Sequence, residues 1–418
     1  MKIEYYEAKS LIRTGGSSIF SWAEYYLNPY QGCFHDCVYC DGKSEHYHMH
    51  EDFGGLIKVK ENAPALFKKF LKDKGYFPVH KKEQFVMYDF FPDLKESAKT
   101  HKDGKAIINI GGGVCDVYQP VEKEVKMTRE LMEIVYDYKF PLWILTKNNL
   151  VLEDIDLLKK INKDSYAVVN FTITLADEKA QKIFEPGASS TQERFDAIKA
   201  LRKEGIHSGV YFYPALPFIG DTIENVEAIY KQAKEVGAEF IYSSGLTLKP
   251  GRSKDEYMNT IRKHYPDLYQ KYELLYGNNN KYGMLDVDQF KEMGLKWSVF
   301  TGYKFGYELK LGYTAERYVP EGRIANNLKL AELLLKIGFL KSNFFNEPRY
   351  EVQKYSKAAK LIENARRDYS IILEDEFETE TIDKQVVPIL SDYLEKGESK
   401  YLNDLEKKAY EHVNDCYF

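Results

Sequence analysis

Three cysteines crowd into eight residues, Cys33-Phe34-His35-Asp36-Cys37-Val38-Tyr39-Cys40, directly after an extended-looking stretch from Glu24 to Tyr30. Thiolates in this number can hold three corners of a [4Fe-4S] cube, leaving the fourth iron open to a small-molecule chelate. The same cysteines can instead join a zinc site, which normally closes with four ligands and would recruit His35, His46, His48 or His50. Core packing alone fits poorly with three of the chain's five cysteines falling in one motif.

Other residues that could do chemistry sit where short β-branched runs end. Gly111-Gly112-Gly113 follows one run, and consecutive glycines either make a tight turn or let a ligand approach the backbone closely. Cys115 and Tyr118 come just beyond. Lys147 closes Leu145-Thr146-Lys147, where an ammonium could pair with a carboxylate or simply face water. In Asn170-Phe171-Thr172-Ile173-Thr174 the residues Asn170, Thr172 and Thr174 share one face by the period of two; their polar groups could bind a ligand or satisfy one another.

The elements that must position these residues alternate between strand and helix. Strand patterns cover 106–110, 142–146, 167–175, 208–213 and 239–243, and helical patterns cover 122–138, 151–161, 190–204 and 223–236. Ser190-x-x-Glu193 reads as a capping box. With the strand at 24–27 these make about six βα units, short of the eight of a closed barrel, so the expected fold is α/β, a partial (β/α)6 TIM-like barrel. In such barrels the chemistry gathers at the C-terminal strand ends, and the Cys triplet lies at that mouth. An insertion at about 43–104, with a helical segment at 63–74, separates the first two strands. Residues 1–283 are expected to form the core and 284–418 a mainly helical C-terminal extension, with a hairpin at 297–313 and helices around 326–341, 347–367, 382–396 and 401–413.

With 418 residues the chain can bury a large core. It has no apolar run long enough to span a bilayer, and Met1 to Ser10 lacks the layout of a signal peptide. A cytoplasmic location is expected: the cysteines form no disulfide framework, and an oxygen-sensitive cluster would need a reducing compartment. The net charge of −5 gives no global attraction to a polyanion. The basic residues Lys254, Arg262, Lys263 and Lys271 are interleaved with acids, as on a solvated helix face.

Taken in order, the motifs resemble the radical S-adenosylmethionine (SAM) superfamily, in its spore photoproduct lyase-like branch, also described as DNA repair photolyase-like. The resemblance runs from about Asn28 to Gly283. It is carried by Asn28-Pro29-Tyr30-x-Gly32-Cys33 through Cys40, Lys60-x-Asn62-Ala63-Pro64, Asp116-x-Tyr118-Gln119-Pro120-x-Glu122, Thr128-Arg129, Leu145-Thr146-Lys147, Asp154-x-Asp156-Leu157-Leu158, Glu185-Pro186-Gly187-Ala188 with Arg194, and Leu248-Lys249-Pro250-Gly251. It implies a [4Fe-4S] cluster on Cys33, Cys37 and Cys40, with SAM as second cofactor. Tyr39 would then lie near the adenine, Lys147 at the carboxylate and Thr172 in contact with the cofactor; by their positions at the strand ends, Gly111, Gly112, Gly113 and Thr174 are further candidates to line the SAM site. It further implies an electron donor such as flavodoxin or ferredoxin, and a 5′-deoxyadenosyl radical that abstracts hydrogen from the substrate.

The family's lyases return a hydrogen atom from a Cys at the end of the second strand, and the aligned residue here is Gly113. Cys115 stands where the lyases have a cofactor-contacting Ser, which leaves three readings for it: a displaced hydrogen donor, a lining residue or an ordinary buried thiol. Tyr118 could relay a radical, or pack and hydrogen-bond through its hydroxyl. The leading expectation is a radical SAM enzyme acting on an unidentified substrate, with a nucleic acid as one candidate. The alternatives are the same chemistry on a peptide, an RNA or a small metabolite and, more remotely, a non-catalytic zinc or iron-sulfur module.

Overall fold

The computed structural model describes residues 2–14, 23–79, 107–111, 114–278, 280–286, 289, 318–319, 323–343, 345, 347–372 and 382–417. The chain starts with β1 (Lys2–Tyr6), β2 (Ile12–Thr14), β3 (Ala23–Leu27) and β4 (Tyr30–Gln31), followed by β5 (Leu56–Lys60) and α1 (Ala63–Asp73). Next come β6 (Ile107–Ile110), α2 (Glu122–Val125), α3 (Met127–Asp137), β7 (Leu142–Thr146), α4 (Ile155–Asp164) and β8 (Ala167–Thr172). They are followed by α5 (Glu178–Phe184), α6 (Thr191–Lys203), β9 (His207–Ala215), α7 (Ile223–Glu235), β10 (Ile241–Gly245), α8 (Arg252–His264) and α9 (Tyr269–Tyr276).

The expected runs pair side by side in one sheet of order β10-β9-β8-β7-β6-β3-β2, in which only the β2–β3 pair is antiparallel. The six strands from β3 to β10 follow chain order because each right-handed crossover helix returns the chain to the next position. This is the partial (β/α)6 barrel. All six residues of β8 are buried, as in a parallel strand covered on both faces. The helices supply the outer cover: α3 buries Met127, Leu131, Met132, Ile134 and Val135 along one stripe. The described residues up to 289 belong to one compact unit and those from 318 onward to another. The second is helical, with α10 (Ala325–Asn343), α11 (Arg349–Glu363), α12 (Tyr369–Ile372), α13 (Val387–Lys396) and α14 (Lys400–Tyr417). The hairpin expected at 297–313 lies outside the described residues.

Three local expectations change. The single helix expected over 122–138 breaks at Lys126, which takes the left-handed conformation at φ +51°. The Glu122 side chain explains the break, since its carboxylate accepts the N–H groups of Thr128 (2.7 Å) and Arg129 (3.3 Å) and so caps the start of α3. The strand expected to reach Leu175 stops at Thr172. Beyond it the Asn225 side chain serves the backbone, donating to Thr174 O (3.0 Å) and accepting from Ala176 N–H (2.7 Å). Finally, part of the insertion is sheet. β5 pairs with β1 and β4 in a small second sheet, so the segment after the Cys loop is tied down beside the barrel.

Glu122 is buried and also accepts the Tyr30 hydroxyl. Burial pushes its pKa up to about 7, and burial likewise lifts Asp221 to about 7. A carboxyl whose folded pKa is raised contributes stability below its unfolded value, and that contribution is lost as pH rises through the folded pKa. The Glu122 share of the urea-unfolding free energy should therefore fall between about pH 4.5 and pH 7 by roughly 3 kcal/mol. Glu122→Gln should remove that share and leave the part of the slope that Asp221 contributes. An unchanged slope in the variant would show that Glu122 does not titrate in this range.

Candidate active site

The Cys loop is a chain of tight turns pressed into an apolar cluster. Asp36 N–H bonds to Cys33 O (3.1 Å), Cys40 N–H to Cys37 O (3.1 Å) and Lys43 N–H to Cys40 O (3.1 Å). Cys37, Val38 and Tyr39 pack with Phe184, Leu216, Leu246, Tyr257 and Tyr272. Cys33, Cys37 and Cys40 are free thiols, the first two buried and the third half-buried. Burial raises the pKa of all three, while the Lys147 ammonium works in the opposite direction on Cys37 and Cys40. Thiols in this state are held neutral until a metal centre displaces their protons.

Beside Cys40 opens a cavity of about 360 Å³. One part of its wall is made by Tyr39, Cys40, Gly111, Cys115, Lys147 and Thr172, the other by Asp41, Tyr47, Tyr213, Pro214, Leu246 and Thr247. Gly111 has φ +94°, and a side chain there would run into Val117, so the strand end must carry glycine. The Lys147 ammonium lies 5.7 Å from the centre of the Tyr39 ring. Although burial disfavours its charge, Cys37, Glu185 and Asp116 hold its pKa above the usual lysine value. Asp41 is bound by Lys249 and by the Thr247 hydroxyl (3.1 Å to each oxygen), which fixes the chain after Cys40 to the loop after β10.

Two buried carboxylates join the strand ends to the Cys loop. Asp116 Oδ1 accepts Tyr118 N–H (2.9 Å) and the Thr146 hydroxyl (2.8 Å), and Oδ2 accepts Lys147 N–H (2.7 Å). His35 Nδ1 stands 3.3 Å from Asp116 Oδ2. Burial alone would raise the Asp116 pKa, yet His35 and these backbone donors lower it to about 2. The second carboxylate, Glu185, is wholly buried; it accepts the Tyr39 hydroxyl and pairs with the equally buried Arg194.

The structure thus brings Tyr39, Gly111, Lys147, Thr172, Cys115 and Cys40 to one cavity. Gly112 and Gly113 lie outside the described residues. Thr174 is fully buried, its hydroxyl has no partner, and it does not line this cavity. Tyr118 is buried away from the lining, with its hydroxyl on Asp154 Oδ2 (3.0 Å) and Met132 Sδ (3.1 Å). The Cys115 thiol is buried, and burial pushes its pKa up. Sequence reasoning gave no role to Asp41, Tyr47, Tyr213 or Thr247. Asp116, Glu185 and Arg194 were in the motifs without a role; their place in that motif set was the signal that marked them.

The donor set suits a cluster better than a single zinc ion. Among the described residues, no three His, Cys, Asp or Glu side chains converge as one ion requires. Three of the four histidines considered have other neighbours: His35 faces Asp116, His46 lies 3.3 Å from the Ser44 hydroxyl, and His50 3.4 Å from Gln31 O. A cube offers each thiolate its own iron and needs no such convergence. Two buried thiols and the half-buried Cys40, which borders a cavity with a cationic wall, therefore fit that group.

Comparison with known proteins agrees. The family model described as the radical SAM superfamily matches residues 27–233. An uncharacterised protein of Methanocaldococcus jannaschii is 30% identical over 250 residues, 59% of this chain and 79% of that one. The chain belongs to the radical SAM superfamily. It is an enzyme of that class, and members generally use SAM and a [4Fe-4S] cluster. An uncharacterised protein of Mycobacterium bovis is 24% identical over 60% of this chain and 67% of its own length. Among solved structures, a spore photoproduct lyase with bound AdoMet and dinucleoside spore photoproduct aligns with a TM-score of 0.40 and 16% identity. That alignment covers 63% of this chain and 66% of the lyase, just under two thirds of its length.

Asp116 is the residue whose removal should loosen this site most simply. Asp116→Asn removes the charged acceptor of Lys147 N–H, so stability at pH 7 should fall by about 2 kcal/mol. A carboxylate with a lowered pKa contributes above its unfolded value and ceases to as pH falls through the folded one. The difference between wild type and variant in denaturant unfolding should therefore shrink from about pH 4 to pH 2. A pH-independent difference would contradict the ionic role.

Proposed function

We propose that Cys33, Cys37 and Cys40 hold a [4Fe-4S] cluster and that SAM occupies the adjoining part of the cavity. The observation that carries this reading is the Cys loop itself: Cys33 and Cys37 are buried, and the half-buried Cys40 of the same loop lines a cavity walled by Lys147, Gly111 and Thr172. When bound, the cluster supplies an electron and an open iron site, and reductive cleavage of SAM supplies a 5′-deoxyadenosyl radical that takes hydrogen from the substrate.

The chain's own residues do the rest. Lys147 offers its ammonium to the carboxylate of the bound amino acid group, and the Tyr39 ring provides an apolar face for the adenine. Gly111 lets the ligand come close to the strand end. Thr172 provides a polar contact. The apolar cluster behind Cys37 and Tyr39 keeps water from the reacting atoms. The part of the cavity lined by Asp41, Tyr47, Tyr213 and Thr247 is left for the substrate, with Cys115 lining the boundary.

The ordered motif set supports the photoproduct lyase-like branch and a nucleic-acid substrate, while Gly113 in place of the lyase Cys argues for a different outcome of the same radical chemistry. A peptide, an RNA or a small metabolite is the second reading, favoured by the interleaved charges of α8. A flavodoxin or ferredoxin would deliver the electron. Among the described residues no helix is long and apolar enough to cross a membrane, and an oxygen-sensitive centre is consistent with the cytoplasm.

Anaerobic reconstitution should yield about four irons per chain, and dithionite with SAM should then release 5′-deoxyadenosine. A loaded cluster that releases none would overturn the reading. Cys40→Ala should abolish cluster formation; full iron retention would contradict the ligand assignment. Deuterated candidate substrates then identify the hydrogen source, since the right one adds one mass unit to the 5′-deoxyadenosine.

A further inference from the structure

The turn from Phe184 to Ser190 touches the segments on which the proposed cofactor site depends. Its Phe184 carbonyl accepts Val38 N–H (2.9 Å), and its Gly187 N–H donates to His35 O (3.0 Å). The contact is so close that a Cβ on Gly187 would lie 2.0 Å from Phe34 O. On the other side, Ser189 N–H donates to Lys147 O (3.2 Å). Arg194 reaches back from α6, donating from Nε to Ser189 O (2.9 Å) and from Nη1 to Thr172 O (2.8 Å).

At the centre of these contacts lies the Glu185–Arg194 pair, with both side chains fully shielded from water. One Glu185 oxygen takes the Arg194 guanidinium and the other takes the Tyr39 hydroxyl. A guanidinium buried this deeply must use its fork geometry fully, and here the fork joins a carboxylate, the carbonyl of Thr172 and the carbonyl of Ser189. The pair makes no contact with the cavity itself, since neither residue lines it.

We propose that Glu185 and Arg194 are positioning residues, a buried bracket that sets the Cys loop, through the Tyr39 hydroxyl, against the strand ends carrying Thr172 and Lys147. Its function is to fix the distance between the metal-bearing loop and the SAM-bearing wall. The inference deepens the reading of a cluster and SAM at this site and rests on it. A purely structural pair would stabilise the fold without setting how SAM meets the cluster.

The discriminating variant is Tyr39→Phe, which keeps the ring and the ion pair and removes only the hydroxyl that joins them. In the reconstituted full chain, iron content should stay close to wild type, while the melting temperature falls by a few degrees because a buried carboxylate oxygen loses its donor. Affinity for SAM, measured by equilibrium dialysis, should weaken roughly tenfold, as expected for one charge-assisted hydrogen bond. The change that SAM produces in the low-temperature EPR spectrum of the reduced cluster should also differ from wild type. Glu185→Met combined with Arg194→Met removes both charges together, a replacement that cores tolerate better than a single unpaired charge, and should give the same two losses. SAM affinity within twofold of wild type and an unchanged EPR response, in either variant with a loaded cluster, would overturn the bracket. Loss of iron from a folded Tyr39→Phe chain would also overturn it, because the hydroxyl would then serve to build the metal site rather than to align it. If the wild-type chain takes up no cluster, the underlying reading fails and takes the bracket with it; if wild type binds both groups and the variants are indifferent, only the bracket fails.

Discussion

An ion pair with no access to water organises the mouth of this barrel. Removing Glu185 and Arg194 from solvent costs several kcal/mol per charge, and their attraction offsets this only when every remaining donor and acceptor is also satisfied. The structure meets that condition. Arg194 spends its donors on Glu185, Ser189 O and Thr172 O, and Glu185 accepts the Tyr39 hydroxyl as well. Such a set is either complete or costly, so the Cys loop and the end of β8 are held to one arrangement.

The same device recurs with Asp116 and Glu122. Each is an acid buried where strand gives way to helix, and each accepts backbone N–H groups that would otherwise lack partners. Their electrostatic states differ because their surroundings differ. Asp116 has His35 beside it and is held at about 2, whereas burial dominates at Glu122 and lifts it to about 7. One carboxylate therefore ties the Cys loop to Lys147 in its charged form, and the other closes the break between α2 and α3 near neutrality.

The cavity joins two kinds of wall. Residues at the ends of β6, β7 and β8 and from the Cys loop make the part proposed for the cofactor. The opposing part comes from the segment after Cys40 and the ends of β9 and β10, clamped together by Asp41, Lys249 and Thr247. Its aromatic residues Tyr47 and Tyr213 belong to elements whose sequences the shared chemistry does not dictate. Under the proposed assignment, substrate choice would fall to loops and the shared reaction to strand ends, in keeping with how barrels separate scaffold from function.

Much of this was legible in the chain itself. Cysteine spacing named the candidate metal chemistry, and the alternation of β-branched runs with amphipathic helices foretold six parallel strands, because both are local patterns. The capping box at Ser190 was readable for the same reason. Periodicity could not say that Thr172 would line the cavity and Thr174 would not, though both fall on one face, since the strand ends between them when Asn225 takes over the backbone. Nor could it show that Tyr39 would meet a carboxylate 146 positions away. Which side chains face one another depends on how the strand ends converge and on which buried charges find partners, and only the tertiary structure brings those distant segments together.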